Sequence, residues 1–88
     1  LYTKIADTVK RDATSGDSLA QYNLGCMYNV GRVVTKDHAQ AFYWYKKAAD
    51  HGIAVAQNSL GHMYYRGEGI AKDHAQAFYW YQQSANQG

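Results

Sequence analysis

Two stretches of this 88-residue chain are near copies of one another at a spacing of 36 residues, and no other feature narrows the possible folds so far. Laid over Ile53–Gly88 without a gap, Asp17–Gly52 matches at 19 of 36 positions. The run Lys36–Tyr45, KDHAQAFYWY, recurs unchanged at Lys72–Tyr81. The other identities are Ala20, Gln21, Leu24, Gly25, Met27, Tyr28, Gly31, Ala49 and Gly52 with their partners. Ten consecutive matches mark a duplicated structural unit, not a shared composition.

Within each unit the period is helical. Ala20, Leu24, Met27 and Tyr28 fall at i, i+4, i+7 and i+8, one apolar stripe on one helix. Ala41, Trp44, Tyr45 and Ala48 give a second helix at i, i+3, i+4 and i+7. Between them lie Gly31–Lys36 and Gly67–Lys72, each with its glycine where a helix end turns left-handed. Asp37 and Gln40, like Asp73 and Gln76, have the spacing of a capping box: Asp accepts from early N–H groups and Gln reaches back. Gly52 and Gly88 are expected to close the second helices. Each unit reads as helix–turn–helix, and two such units stack as an all-α solenoid. Residues 1–16 form no clear third copy, but Ile5, Val9 and Ala13 suit one helix ending at Gly16, a cap or the remnant of a preceding unit. The expected organisation is five helices in segments 1–16, 17–52 and 53–88.

Composition excludes several classes. Hydrophobic residues make up 47% of the chain, while its mean hydropathy of −0.57 reflects nine tyrosines. That supplies a core and argues against disorder. No apolar run approaches the roughly 20 residues of a membrane span, and no signal-peptide pattern opens the chain. The sequence starts at Leu1, so a processed or excised chain is expected. Nine basic against seven acidic residues leave +2 with no basic run, which disfavours a nucleic-acid partner. Cys26 is alone, so no internal disulfide can form, and the lack of proline favours unbroken helices.

Leu24-Gly25-x-x-Tyr28 followed by Ala41-x-x-x-Tyr45 resembles a tetratricopeptide unit, whose period is about 34 residues. Here the period is longer, and Gln21 and Gln57 replace the Trp that opens that signature. The starts Ala20–Tyr28 and Ala56–Tyr64, the loop Gly67–Ile70, and the endings Trp44–Ala49 and Trp80–Ala85 resemble Sel1-like repeats across residues 17–88. The resemblance implies a right-handed α-solenoid and a scaffold or adaptor that binds a protein or peptide, without catalysis or cofactor. One departure stands out: Val33 occupies the loop position where the second unit has Gly69, so a positive φ there would strain the first loop.

Positions fixed by stacking should match between units, while positions that read a partner are free to differ. On the first helices the differing pairs include Leu19/Val55, Tyr22/Asn58, Cys26/His62, Asn29/Tyr65 and Val30/Arg66. They form one continuous stripe beside the apolar one and are the expected partner-binding residues, on what would be the concave face. Tyr and Arg are favoured at interface hot spots. The competing account is drift of exposed positions.

Other chemistry lacks a site. His38 and His74 sit one unit apart, about 10 Å by ordinary helix packing, too far to share a metal that binds nitrogen at about 2 Å. Cys26 lies mid-helix with Tyr22 and Val30 at i±4, neither of them a base. No paired carboxylates or nucleophile elbow occur. Neither a metal nor an enzyme activity is expected. Ala77, Trp80 and Tyr81 lack a following unit, and Ser84 in place of Ala48 is expected to suit an exposed end. Self-association through uncovered terminal helices, or modest stability, follows as an expectation. The alternative function is a structural segment that stacks with its own kind.

Overall fold

The computed structural model describes residues 2–87. They form α1 (Tyr2–Thr14), α2 (Ser18–Val30), α3 (His38–Asp50), α4 (Ala54–Arg66) and α5 (His74–Gln87), with no strand among the described residues. The expected stop at Gly88 lies outside them. Each helix packs on its neighbours in chain order, giving a five-helix solenoid of 39 × 23 × 17 Å.

The loops repeat as closely as the sequence does. Gly31 and Gly67 adopt φ of 74° and 73°, and their N–H groups return to the carbonyls of Met27 and Met63. Asp37 and Asp73 accept from the N–H of Gln40 and Gln76, each at 3.1 Å. The reciprocal half of the expected capping box is absent. The Asp37 N–H donates instead to the Tyr28 carbonyl, and that of Asp73 to Tyr64, both at 2.9 Å. The donor that Gln would have served already closes the loop, so Gln40 and Gln76 stay exposed.

Burial follows the expected stripes. Ala13, Ala20 and Leu24 form one core cluster, with Val9, Met27, Tyr28 and Trp44 packed around it. Ala41, Tyr45, Ala48, Ala49, Ala56, Leu60, Met63 and Trp80 form the larger one. Two buried glutamines tie the layers. Gln21 Nε2 donates to the Ala13 carbonyl and Gln57 Nε2 to the Ala49 carbonyl, both at 3.1 Å. The Ala13 and Ala49 carbonyls already accept from the N–H of Gly16 and Gly52, and the buried amide reaching from the next helix is a second donor on the other lone pair. Thus α1 stands to α2 as α3 stands to α4. Ser84 does not mark a solvated end: its hydroxyl is half-buried and donates to the Ala54 carbonyl at 2.9 Å.

Candidate protein-interaction surface

The residues common to both first helices are spent on packing. Ala20, Gln21, Leu24 and Gly25 are buried, as are Ala56, Gln57, Leu60 and Gly61. The differing residues divide. Leu19, Val30, Val55, Asn58, His62, Tyr65 and Arg66 are exposed, and Leu19 and Tyr65 retain 62% and 55% of their accessible surface. Tyr22, Cys26 and Asn29 are half-buried. The expectation of one continuous open stripe is corrected at these three positions. Tyr22 and Cys26 lie against the larger core cluster, because α4 follows alongside and brings Ser59 to Tyr22.

Beneath the stripe each unit carries a different polar cluster at equivalent positions. In the first, the rings of Tyr22 and Tyr45 lie 5.7 Å apart. The Cys26 thiol and then burial push the Tyr22 hydroxyl above its usual range, with Ser59 opposing. Burial first, then Cys26, pushes Tyr45 much further up. Both phenols are neutral at physiological pH. In the second unit, Tyr81 Oη and His62 Nδ1 are 2.8 Å apart, and Asn58 Nδ2 lies 3.4 Å from His62 Nε2. The His62 imidazole thus links Asn58 on one side to the Tyr81 hydroxyl on the other. Tyr65 stacks on His74 at 4.7 Å, next to His62 and Arg66 on the same face.

Among the described residues no cluster of three or more His, Cys, Asp or Glu could hold a metal ion. None of the helices is long and apolar enough to cross a membrane. What the surface offers is exposed apolar and aromatic side chains on a rigid helical face.

Residues 18–53 and 54–88 each match the model of the Sel1 repeat. The chain belongs to the Sel1 repeat family. Sel1 repeats are in general protein-interaction modules. The solved structure of c5321, a protective antigen present in uropathogenic Escherichia coli strains displaying an SLR fold, is similar over 100% of this chain, with 42% identity and a TM-score of 0.98. A Sel1 repeat protein from Oxalobacter formigenes is similar over 91%, with 45% identity and a TM-score of 0.89. Helicobacter pylori cysteine rich protein B matches over 97%, with 25% identity and a TM-score of 0.91. A putative sel1-like repeat-containing protein, L18, of Acanthamoeba polyphaga mimivirus is 48% identical over 44 residues. The chain spans 19%, 60% and 64% of the three solved chains and 8% of the mimivirus protein.

Sequence reasoning missed two sets of residues. The buried Gln21 and Gln57 act as inter-helix ties; their identity in both Sel1 units was the available signal. Ile5 and Arg32 join the exposed apolar surface around Val30 and Val33. The difference Val33/Gly69 signals strain in the first loop, and Arg32/Glu68 beside it is the signal for Arg32; Ile5 has none, since residues 1–16 form no clear copy of a unit.

Proposed function

We propose that this chain is a protein-interaction module whose partner docks along the exposed part of the first-helix stripe. Leu19 and Val30 on α2, and Val55, Asn58, His62, Tyr65 and Arg66 on α4, are the contact residues. One observation carries this reading: on the two first helices, Leu19, Val30, Val55 and Tyr65 lie exposed at positions that differ between units, while the shared positions there are buried or half-buried. A solvated helix face needs no Leu, Val or Tyr there, and large exposed apolar side chains on one helix face fit a binding site. Tyr65 stacked on His74, with Arg66 beside it, has the composition of an interface hot spot. Tyr22 and Cys26 support the surface from below, since half of each already rests on the core.

The test is selection of peptides from a random displayed library against the whole chain, followed by titration of the recovered peptides. Tyr65→Ala with Arg66→Ala should weaken their binding about ten-fold or more, with the helical circular dichroism unchanged. Recovered peptides whose affinity ignores both substitutions, and also Leu19→Ala and Val55→Ala, would place the interaction elsewhere.

A second reading, a structural segment that stacks with helices of its own kind, is favoured by α5. Phe42 meets the ring of Tyr64 edge-on at 5.6 Å, whereas its counterpart Phe78 is 66% exposed. Sedimentation velocity over a concentration series tests it: association lost in Phe78→Asp supports stacking, and a single monomeric species at all concentrations argues against it.

A further inference from the structure

The loops after the two first helices differ at Arg32/Glu68 and Val33/Gly69, among other positions. Gly69, at φ 77°, seats its backbone on the first turn of α3: a Cβ built on it would lie 2.5 Å from the His38 carbonyl oxygen and 3.0 Å from the Ala39 nitrogen. Val33 stands at the same place in the first unit and at nearly the same angle, φ 73°, with 45% of its surface exposed. A β-branched residue at positive φ is a true conformational outlier. Such strain tends to persist where a functional site makes use of it.

What the strain maintains is visible beside it. The Val33 isopropyl group cannot take the seat that bare Gly69 takes. It forms instead one wall of an open groove of about 350 Å³ between α1, α2 and the loop, lined by Ile5, Cys26, Met27, Val30, Arg32 and Val33. Five of these are apolar or weakly polar, and the sixth is a guanidinium that forms no ion pair among the described residues. At the same positions the second unit has Ala41, His62, Met63, Arg66, Glu68 and Gly69. Charge is reversed at Arg32/Glu68, and the aliphatic Ile5, Val30 and Val33 are replaced by a small, a charged and an absent side chain. The first unit has thus acquired an apolar slot with a cationic edge where its twin closes the loop onto a helix.

We propose that this groove is a subsite for one large apolar side chain of a partner peptide that carries a carboxylate next to it, the apolar group between Ile5, Met27 and Val33 and the carboxylate on Arg32. The proposal rests on the interaction-surface reading, with which it shares Cys26 and Val30, and it supplies the chemical class of the ligand. Charge complementarity selects the occupant: an apolar group alone leaves Arg32 unused, and a cationic neighbour is repelled by it.

The experiment is a two-dimensional NMR titration of the whole chain with 5-phenylpentanoate, an apolar tail bearing a carboxylate, against 5-phenylpentylamine, the same tail bearing a cation. The acid should shift the amides of Ile5, Met27, Val30 and Val33 and leave those of Met63, Arg66 and Gly69 unmoved. Val33→Gly removes one wall and relaxes the loop, so binding should weaken about ten-fold while the unfolding midpoint rises. That combination excludes misfolding as the cause. Arg32→Glu should weaken the acid about five-fold and reverse the preference toward the amine. Shifts that are absent, equal in both units, or insensitive to both substitutions overturn the proposal. Library-selected peptides that depend on Tyr65 and Arg66 but ignore Val33→Gly and Arg32→Glu overturn the groove alone and leave the wider surface standing. Groove-localised shifts without any selectable peptide support the groove and fail the wider surface.

Discussion

The ring of Tyr45 occupies the space that a side chain at Gly25 would need: a Cβ there would lie 2.7 Å from Tyr45 Cδ1 and 2.8 Å from Cε1. Glycine inside a helix costs about 1 kcal/mol relative to alanine. The chain tolerates that cost twice, because the Gly61 position faces Tyr81 at 2.8 Å in the same way. The gain is close approach of the two helices of each unit over an aromatic ring, buried in the first and half-buried in the second.

Gly25→Ala should therefore destabilise, although it improves helix propensity. Tyr45 is 3% exposed and belongs to the larger core cluster, so its ring has nowhere to go. Overpacking of this kind costs about 1–3 kcal/mol, which exceeds the propensity gain. In Gly61→Ala the half-buried Tyr81 ring can swing outward, but the Ala77 carbonyl oxygen, 3.2 Å from the same Cβ, cannot, so this variant should be destabilised too. Urea unfolding should show both variants less stable than the parent.

Exchange of the two loop residues should give opposite signs. Val33→Gly relieves a strained φ worth on the order of 1–3 kcal/mol, against a glycine entropy cost of about 0.5–1 kcal/mol; a net gain near 1 kcal/mol is expected. Gly69→Val keeps the same φ and drives a side chain into the His38 backbone, where a Cβ would already lie at 2.5 Å. Backbone cannot yield as a side-chain tip does, so this variant should lose about 3 kcal/mol or more. Thermal melts of the pair decide the point, and equal effects would remove the seat argument.

The buried amides should also differ in importance. Gln57 makes two bonds, donating Nε2 to the Ala49 carbonyl at 3.1 Å and accepting at Oε1 from Gln87 Nε2 at 2.8 Å. Gln21 makes only the first kind, to the Ala13 carbonyl, and its Oε1 is buried without a partner. Methionine fills a similar volume without the polar atoms. Gln57→Met should cost about 1 kcal/mol more than Gln21→Met, since it loses one further bond while Gln21→Met removes an orphaned acceptor. Denaturant midpoints at constant slope measure the difference.

The repeat made most of the architecture legible before any coordinates, because stacking imposes the same residue types on both units. Ala20/Ala56, Leu24/Leu60 and Gly25/Gly61 announce the packing by their identity and are buried. The loop strain at Val33 was legible for the same reason, since its twin is a glycine. What the comparison missed depends on neighbours further along the chain. Tyr22, Cys26 and Asn29 differ from their counterparts yet are half-buried, Tyr22 and Cys26 against the larger core cluster, while Asn58, His62 and Tyr65 are exposed. Sequence difference reports relaxed packing demands only where both units have the same surroundings. The Gln40 side chain failed for a local reason: the Tyr28 carbonyl had already taken the N–H it was expected to serve.

Tyr45 should make the fold sensitive to alkali. Burial first, and then the Cys26 thiol, hold its phenol well above the ordinary 10.0. The folded state therefore keeps a proton that the unfolded chain releases. This stabilisation is fully present below pH 10.0 and declines as pH rises past that value, by about 1.4 kcal/mol per pH unit for one such group. Tyr22 is raised in the same sense by Cys26 and burial and adds to the decline. Tyr45→Phe removes the proton-linked part while keeping the ring that packs on Gly25. At neutral pH the variant should be less stable by about 1 kcal/mol for the lost hydroxyl interactions. Above pH 10 its stability should fall more gently than that of the parent, so the two curves converge. Urea midpoints for both proteins between about pH 7 and pH 11 measure this, and curves that stay parallel across that range would show that Tyr45 is not the linked group.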